Sequence, residues 1–137
     1  MISANAFLSA AEARYETASE LQLRRCPRVD VIYLAGYAIE CSLKALIIRR
    51  TPFAKLDDLE ESVLFRSAAG HRLDSLLHYL VSDCGENLPS DFDANVRYAA
   101  RRWSTDLRYS SKKVSHAASA KFLANAELIT SWIARRI

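Results

Sequence analysis

From Arg28 to Arg50, between Pro27 and Pro52, the chain carries apolar side chains on nearly every face of a helix. Such a helix cannot rest on a surface. It marks the centre of a bundle, and the remaining segments have to wrap around it. Composition allows only helices to do the wrapping. Gly and Pro number three each, Val six and Thr four, against 21 Ala, which starves a sheet of turn residues and of β-branched residues. The expected class is all-α, an up-and-down antiparallel bundle of four to five helices forming one domain over 1–137.

The breakers cut the chain at Pro27, Pro52, Gly70, the Gly85 to Pro89 stretch and the polar Ser104 to Ser111 stretch. The first helix follows Ser3 as N-cap, repeats Phe7, Ala11, Tyr15 and Ala18 on one face, and ends near Arg25. The second is Arg28 to Arg50. The acidic stretch Leu56 to Phe65 reads equally as a short helix or an ordered loop. A third helix opens at Gly70 and His71 and places Leu73, Leu76, Leu77 and Leu80 on one face. A fourth starts at Pro89 and Ser90, where Ser90 and Asp93 have capping-box spacing, and runs to about Trp103. The last spans Lys112 to Arg136, with Val114, Ala118, Phe122, Ile129 and Ile133 recurring on one face.

Lys and Arg number 19 and Asp and Glu 16, a net charge of +3, too small for a general nucleic-acid binder, so any basic site is local. Cys26, Cys41 and Cys84 form no CxxC pair, which argues against a disulfide framework or a structural zinc site and for a reducing, cytoplasmic setting. Glu12 precedes the first basic residue, Arg14, so no export signal is expected. The strongest apolar run, Val31 to Ile39, is about half of a membrane span, and no membrane is expected as a partner.

Three groups of residues can carry chemistry. On a wheel of about 100° per residue, Asp30, Tyr33, Tyr37, Glu40 and Lys44 fall in a stripe about 80° wide on the otherwise apolar second helix. This seam has to face water, a partner chain or a ligand, with Glu40 and Lys44 able to pair at i, i+4. Arg66 and His71 form an R-x4-H spacing, with His71 expected at a helix N-terminus suited to anions, or acting as a cap there. In RNA cleavage Arg66 would neutralise the phosphate while His71 moves the proton, and no metal or cofactor is required. His71 and His78, at i, i+7, lie too far apart for metal ligands, and no metal site is expected. The third group is Arg97 to Lys113, where Arg97, Arg101, Arg102, Arg108, Lys112 and Lys113 meet Tyr98, Trp103 and Tyr109. Cations hold phosphates and aromatic faces stack bases; alternatively, Trp103 and Tyr109 are core anchors and the cations a solvated face paired with Asp57 to Glu61.

Taken in order, Tyr33-Leu-Ala-Gly-Tyr37-Ala-Ile-Glu40-Cys-Ser-Leu-Lys44-Ala-Leu-Ile, His71-Arg-Leu and Leu107-Arg108-Tyr109 resemble the HEPN domain family. The likeness covers roughly Phe7 to Ile133. It implies a small helical bundle that dimerises, associates with nucleotide or RNA, and partners a nucleotidyltransferase-type protein in toxin-antitoxin or defence systems. Carried over residue by residue, it points to Tyr37, Glu40, Lys44, Arg108 and Tyr109 as ligand-binding positions. Ribonuclease members use an R-x4-6-H motif with Asn, Asp or His usually following the Arg, whereas Ser67 follows Arg66 here. Three functions are therefore open: a non-catalytic module binding nucleotide or RNA, a metal-independent endoribonuclease toxin using Arg66 and His71, and a protein-interaction subunit.

Overall fold

The computed structural model describes residues 2–24 and 27–137, and among them there are helices and no strand. The α-helices are α1 (Ala4–Leu23), α2 (Arg28–Arg50), α3 (Leu56–Glu61), α4 (Val63–Arg66), α5 (Leu73–Ser82), α6 (Ser90–Arg102) and α7 (His116–Ala134). Short 3-10 turns lie at Phe53–Lys55, Ala68–His71 and Thr105–Tyr109. The all-α class expected from composition is the class observed. The expected end of the first helix, near Arg25, and Cys26 lie outside the described residues.

As its apolar faces demand, α2 is the hub. Val31, Ala35, Ala38, Ile39, Leu43, Ala45, Leu46 and Ile47 are fully buried, and the helix packs against α1, α5 and α7. By length and composition α2 could cross a membrane, but 72% of its most apolar stretch is buried inside the bundle. Along it lies α1, burying Ala4, Ala11 and Ala18, small side chains at the seven-residue repeat of a close helix–helix seam.

Polar contacts at the helix ends fix the directions. Arg49 donates to Asn5 Oδ1 at 2.7 Å, tying the end of α2 to the start of α1. Gln22, late in α1, lies 3.2 Å from His116 at the start of α7. Phe92 stacks on Trp132 at 4.2 Å while Lys121 sits over Tyr98 at 5.1 Å, so α6 and α7 are antiparallel. The long helices α1, α2, α6 and α7 thus alternate in direction, and α3 to α5 carry the chain from α2 to α6.

Several boundaries differ from the sequence expectation for local physical reasons. The last helix begins at His116 rather than Lys112, because Ser115 accepts the Ala118 amide and takes the N-cap. The capping box expected of Ser90 and Asp93 does not form: Pro89 occupies the N-cap and the Asp93 carboxylate instead takes Arg97 Nε at 2.7 Å. The undecided acidic stretch folds as α3 and α4, separated by an extended Ser62.

A close approach locks α6 to α2. A Cβ on Gly36 would stand 2.0 Å from Trp103 Cδ1 and Nε1, so the indole occupies the space that a side chain would fill. Trp103 Nε1 then donates to the Tyr33 carbonyl at 2.9 Å. In an ordinary helix interior Gly36→Ala would stabilise by about 1 kcal/mol. Here the overpacking cost, typically about 1–3 kcal/mol, adds to loss of the indole hydrogen bond at about 1 kcal/mol. Gly36→Ala is therefore expected to lower the urea midpoint and red-shift the Trp emission; an unchanged or raised midpoint would show that the slot is not filled.

Candidate functional site

The seam on α2 changes character along its length. Asp30 is exposed, Tyr33 and Tyr37 are half-buried, and Glu40 and Lys44 are buried. Its outer half meets solvent as expected, whereas its inner half is covered by the chain's own segment from Leu64 to His71, with Phe7 of α1.

At the inner end the Glu40 carboxylate, its side chain 5% exposed, is shared. Oε2 accepts from Lys44 Nζ at 3.4 Å, and Oε1 lies 2.8 Å from His71 Nδ1. A carboxylate oxygen accepts, so Nδ1–H is the donor and the ring's tautomer is set by this contact. The Lys44 ammonium lies 5.9 Å from the Phe7 ring centroid and 5.7 Å from that of Phe65, within cation–π range of both. Gly70 makes the arrangement possible. Its missing Cβ would fall 2.0 Å from the Leu64 carbonyl oxygen and 3.5 Å from Lys44 Nζ, so the turn closes over the ammonium only with glycine there.

This corrects the expectation for His71. The helix starts at Leu73, after an extended Arg72, and His71 ends the preceding 3-10 turn. Its ring is neither a cap nor part of an anion site at the α5 terminus; it is held by a buried carboxylate of α2, with the side chain still 47% exposed. The R-x4-H spacing does not produce a joined pair either. Arg66 Nη2 donates to Glu61 at 2.7 Å and Nε to the Glu60 carbonyl at 3.3 Å, and no hydrogen bond or ion pair connects Arg66 with His71 among the described residues.

At the outer end, Trp103 and Tyr109 part company. Trp103 is a core anchor, while Tyr109 is 77% exposed. The Thr105–Tyr109 turn packs on α2 immediately after the Trp103 anchor, and the Arg108 guanidinium carbon stands 4.8 Å over the Tyr109 ring. Arg108 has no carboxylate partner among the described residues. Tyr37 is edge-on to Tyr33 at 5.1 Å and to Trp103 at 5.2 Å. Burial foremost, with Tyr33 and the Glu40 charge, pushes the Tyr37 phenol up to about 12, and Arg108 opposes them. The phenol therefore stays protonated and serves as a hydrogen-bonding group. Elsewhere in the basic stretch, Arg97 takes Asp93 of its own helix and Arg102 stacks on Tyr98 at 3.7 Å.

Of the candidate residues, Tyr37, Glu40, Lys44, His71, Arg108 and Tyr109 come together along one face of α2, and Arg66, paired with Glu61, lines the surface hollow beside Lys44, Phe7 and Phe65 without joining His71. Sequence reasoning missed Phe7, Phe65 and Gly70 around Lys44. The available signal was the i, i+4 pair on an otherwise apolar face, since a buried ion pair needs a lid. Cys41, beside Glu40, is a free thiol pushed up to about 11 by burial first and then by the Glu40 charge, which makes it a poor nucleophile. A separate cleft of about 810 Å³ opens between α1 and α7 over Ser42. Its polar groups answer one another, with Tyr15 donating to Glu127 at 3.2 Å and Arg49 to Asn5.

Compared with protein-family models, with curated proteins and with solved structures, the chain matches none of them.

The contrast between buried and exposed pairs is measurable. Removing one partner of a buried ion pair typically costs about 3–5 kcal/mol, while an exposed pair is worth at most about 1 kcal/mol. Lys44→Met is expected to lower the unfolding free energy by roughly 3 kcal/mol in urea titration, and Arg97→Met, which breaks the exposed pair with Asp93, by less than about 1 kcal/mol. Equal effects would show that the Glu40–Lys44 pair is not sequestered.

Proposed function

We propose that this chain is a HEPN-like helical module that binds nucleotide or single-stranded RNA through Tyr33, Tyr37, Arg108 and Tyr109, with Glu40 and Lys44 holding the underlying fold. The observation that carries this reading is the exposed Tyr109 ring with an Arg108 guanidinium over it, lacking any carboxylate partner among the described residues. An exposed aromatic beside an unneutralised cation suits a base and its phosphate. The family likeness extends the proposal to a homodimer acting in a toxin-antitoxin or defence-type system beside a nucleotidyltransferase-type protein.

The test is fluorescence anisotropy with a labelled oligouridine decamer. Affinity is expected to fall steeply with salt, as phosphate contacts require. Tyr109→Ala should weaken binding by about 1–3 kcal/mol, the usual worth of a stacked base. Binding that is absent, or indifferent to both salt and Tyr109, sinks the proposal.

One observation favours the ribonuclease reading as a second: His71 is oriented by a buried carboxylate, as a general acid or base must be. Arg66 would have to leave Glu61 to take part. On that reading total RNA in EDTA is cut by the wild type and spared by His71→Ala; intact RNA with both proteins removes it.

A further inference from the structure

The cleft of about 810 Å³ between α1 and α7 has α2 as its floor, and its size is that of a small-ligand site. Ser42 of α2 lies in that floor, 1% exposed. Its hydroxyl opens onto the cleft and meets no hydrogen-bond partner among the described residues, so it offers a donor and an acceptor to whatever enters. On a wheel of about 100° per residue, Ser42 and Arg49 stand about 180–200° from Glu40. The cleft is therefore on the far side of α2 from the polar seam and independent of what the seam binds.

The charged groups sit at the two ends. At one end Arg49 donates to the neutral Asn5 at 2.7 Å. At the other Tyr15 donates to Glu127 Oε2 at 3.2 Å, and Glu12 lines the same wall. Each contact joins a charge to a neutral group, so neither charge is cancelled: among the described residues Arg49 has no carboxylate partner, and Glu12 and Glu127 have no cation. The separation of the ends is set by one helix. Asn5 and Tyr15 are ten residues apart on α1, about 15 Å along its axis, and Glu12 is about 10 Å from Asn5. Ser42 precedes Arg49 by seven residues on the antiparallel α2, which brings it level with Glu12. Between the ends the lining is small or apolar, with Leu8, Ala11 and Ala134.

We propose that this cleft binds a zwitterion of the class of a short extended peptide: Arg49 takes its carboxylate, Glu12 and Glu127 take its ammonium, and Ser42 hydrogen-bonds the chain beside the ammonium. An extended chain covers up to about 3.3–3.6 Å per residue, so three or four residues bridge ends that are about 10–15 Å apart. The fork of a guanidinium matches a carboxylate. A polyamine would set a cation against Arg49, and a diacid would set its second carboxylate against Glu12 and Glu127; only opposite charges at the two termini satisfy both ends.

The experiment titrates the full ¹⁵N-labelled chain at pH 6.5 with tetra-alanine, its N-acetylated form and its C-terminal amide. At this pH the peptide amine and the acidic side chains are charged. Tetra-alanine is expected to give saturable shifts of the Ser9, Ser42 and Ser131 amides, and each capped form should bind about ten-fold more weakly or worse, the scale of one charge-assisted hydrogen bond. Arg49→Gln should bind the free acid and the amide alike while still rejecting the acetylated form. Glu12→Gln combined with Glu127→Gln should do the converse. Both are checked for folding by circular dichroism, and because they act at opposite ends, a folding defect in one leaves the other to decide. Tetra-alanine that shifts none of these amides up to about 20 mM, capped forms that bind as well as the free peptide, or variants that keep the full discrimination of the wild type overturn the proposal.

Discussion

A carboxylate cannot be taken out of water unpartnered, and Glu40 sits in the middle of the most apolar helix of the chain with its side chain 5% exposed. Each oxygen has a donor, Lys44 on one and His71 on the other. The donors in turn need cover. Lys44 receives it from the Phe7 and Phe65 rings, which belong to α1 and α4, and His71 can reach Glu40 only because Gly70 lets its turn press against the Leu64 carbonyl. One buried charge thus dictates how the acidic, weakly patterned segment after α2 folds back onto it. Without that demand, α3 and α4, of six and four residues, are too short to persist as helices on their own.

The second clamp on α2 is steric. Gly36 leaves a slot for the Trp103 indole, and the Tyr33 carbonyl receives its N–H. One clamp fixes the segment before α5 and the other fixes the segment after α6. Both lie on the same side of α2, with Tyr37 between them. The seam residues are consequently presented by two connecting segments against one rigid helix, and their spacing is set by the helix rise rather than by loop flexibility.

What could be read from the sequence divides along the same physical lines. Where a property is local and periodic it was legible: α2 spans Arg28–Arg50 as its flanking prolines and apolar faces indicate, and the Leu73, Leu76, Leu77 and Leu80 face of α5 is buried. Capping was legible at Ser3 but not at Ser90, because Pro89 takes the N-cap and places Ser90 inside the helix, leaving the Asp93 carboxylate to Arg97 at i, i+4. The candidate site was legible as a polar stripe, but not in its depth. Nothing in the spacing of Glu40 and Lys44 shows whether solvent or Phe65 lies above them, since that cover comes from elsewhere in the chain. Arg66 and His71 mislead for the same reason. Five residues of separation imply proximity only within one regular element, and here an extended Ser67 and the Ala68–His71 turn intervene.

The stripe also separates two duties that a list of its polar residues would merge. Lys44 and Glu40 are spent on each other and on the lid, so removing either disturbs the fold before it disturbs any ligand. Tyr109 and Arg108 sit at the surface on a short turn, with the guanidinium stacked on the ring and no carboxylate against it among the described residues, so they are inexpensive to the fold and available to a partner. His71 belongs to both halves. One nitrogen is bonded to the buried carboxylate, and the other meets no partner among the described residues. The burial of Glu40 is then more than a structural cost: its carboxylate fixes how the half-exposed His71 ring is oriented beside the seam.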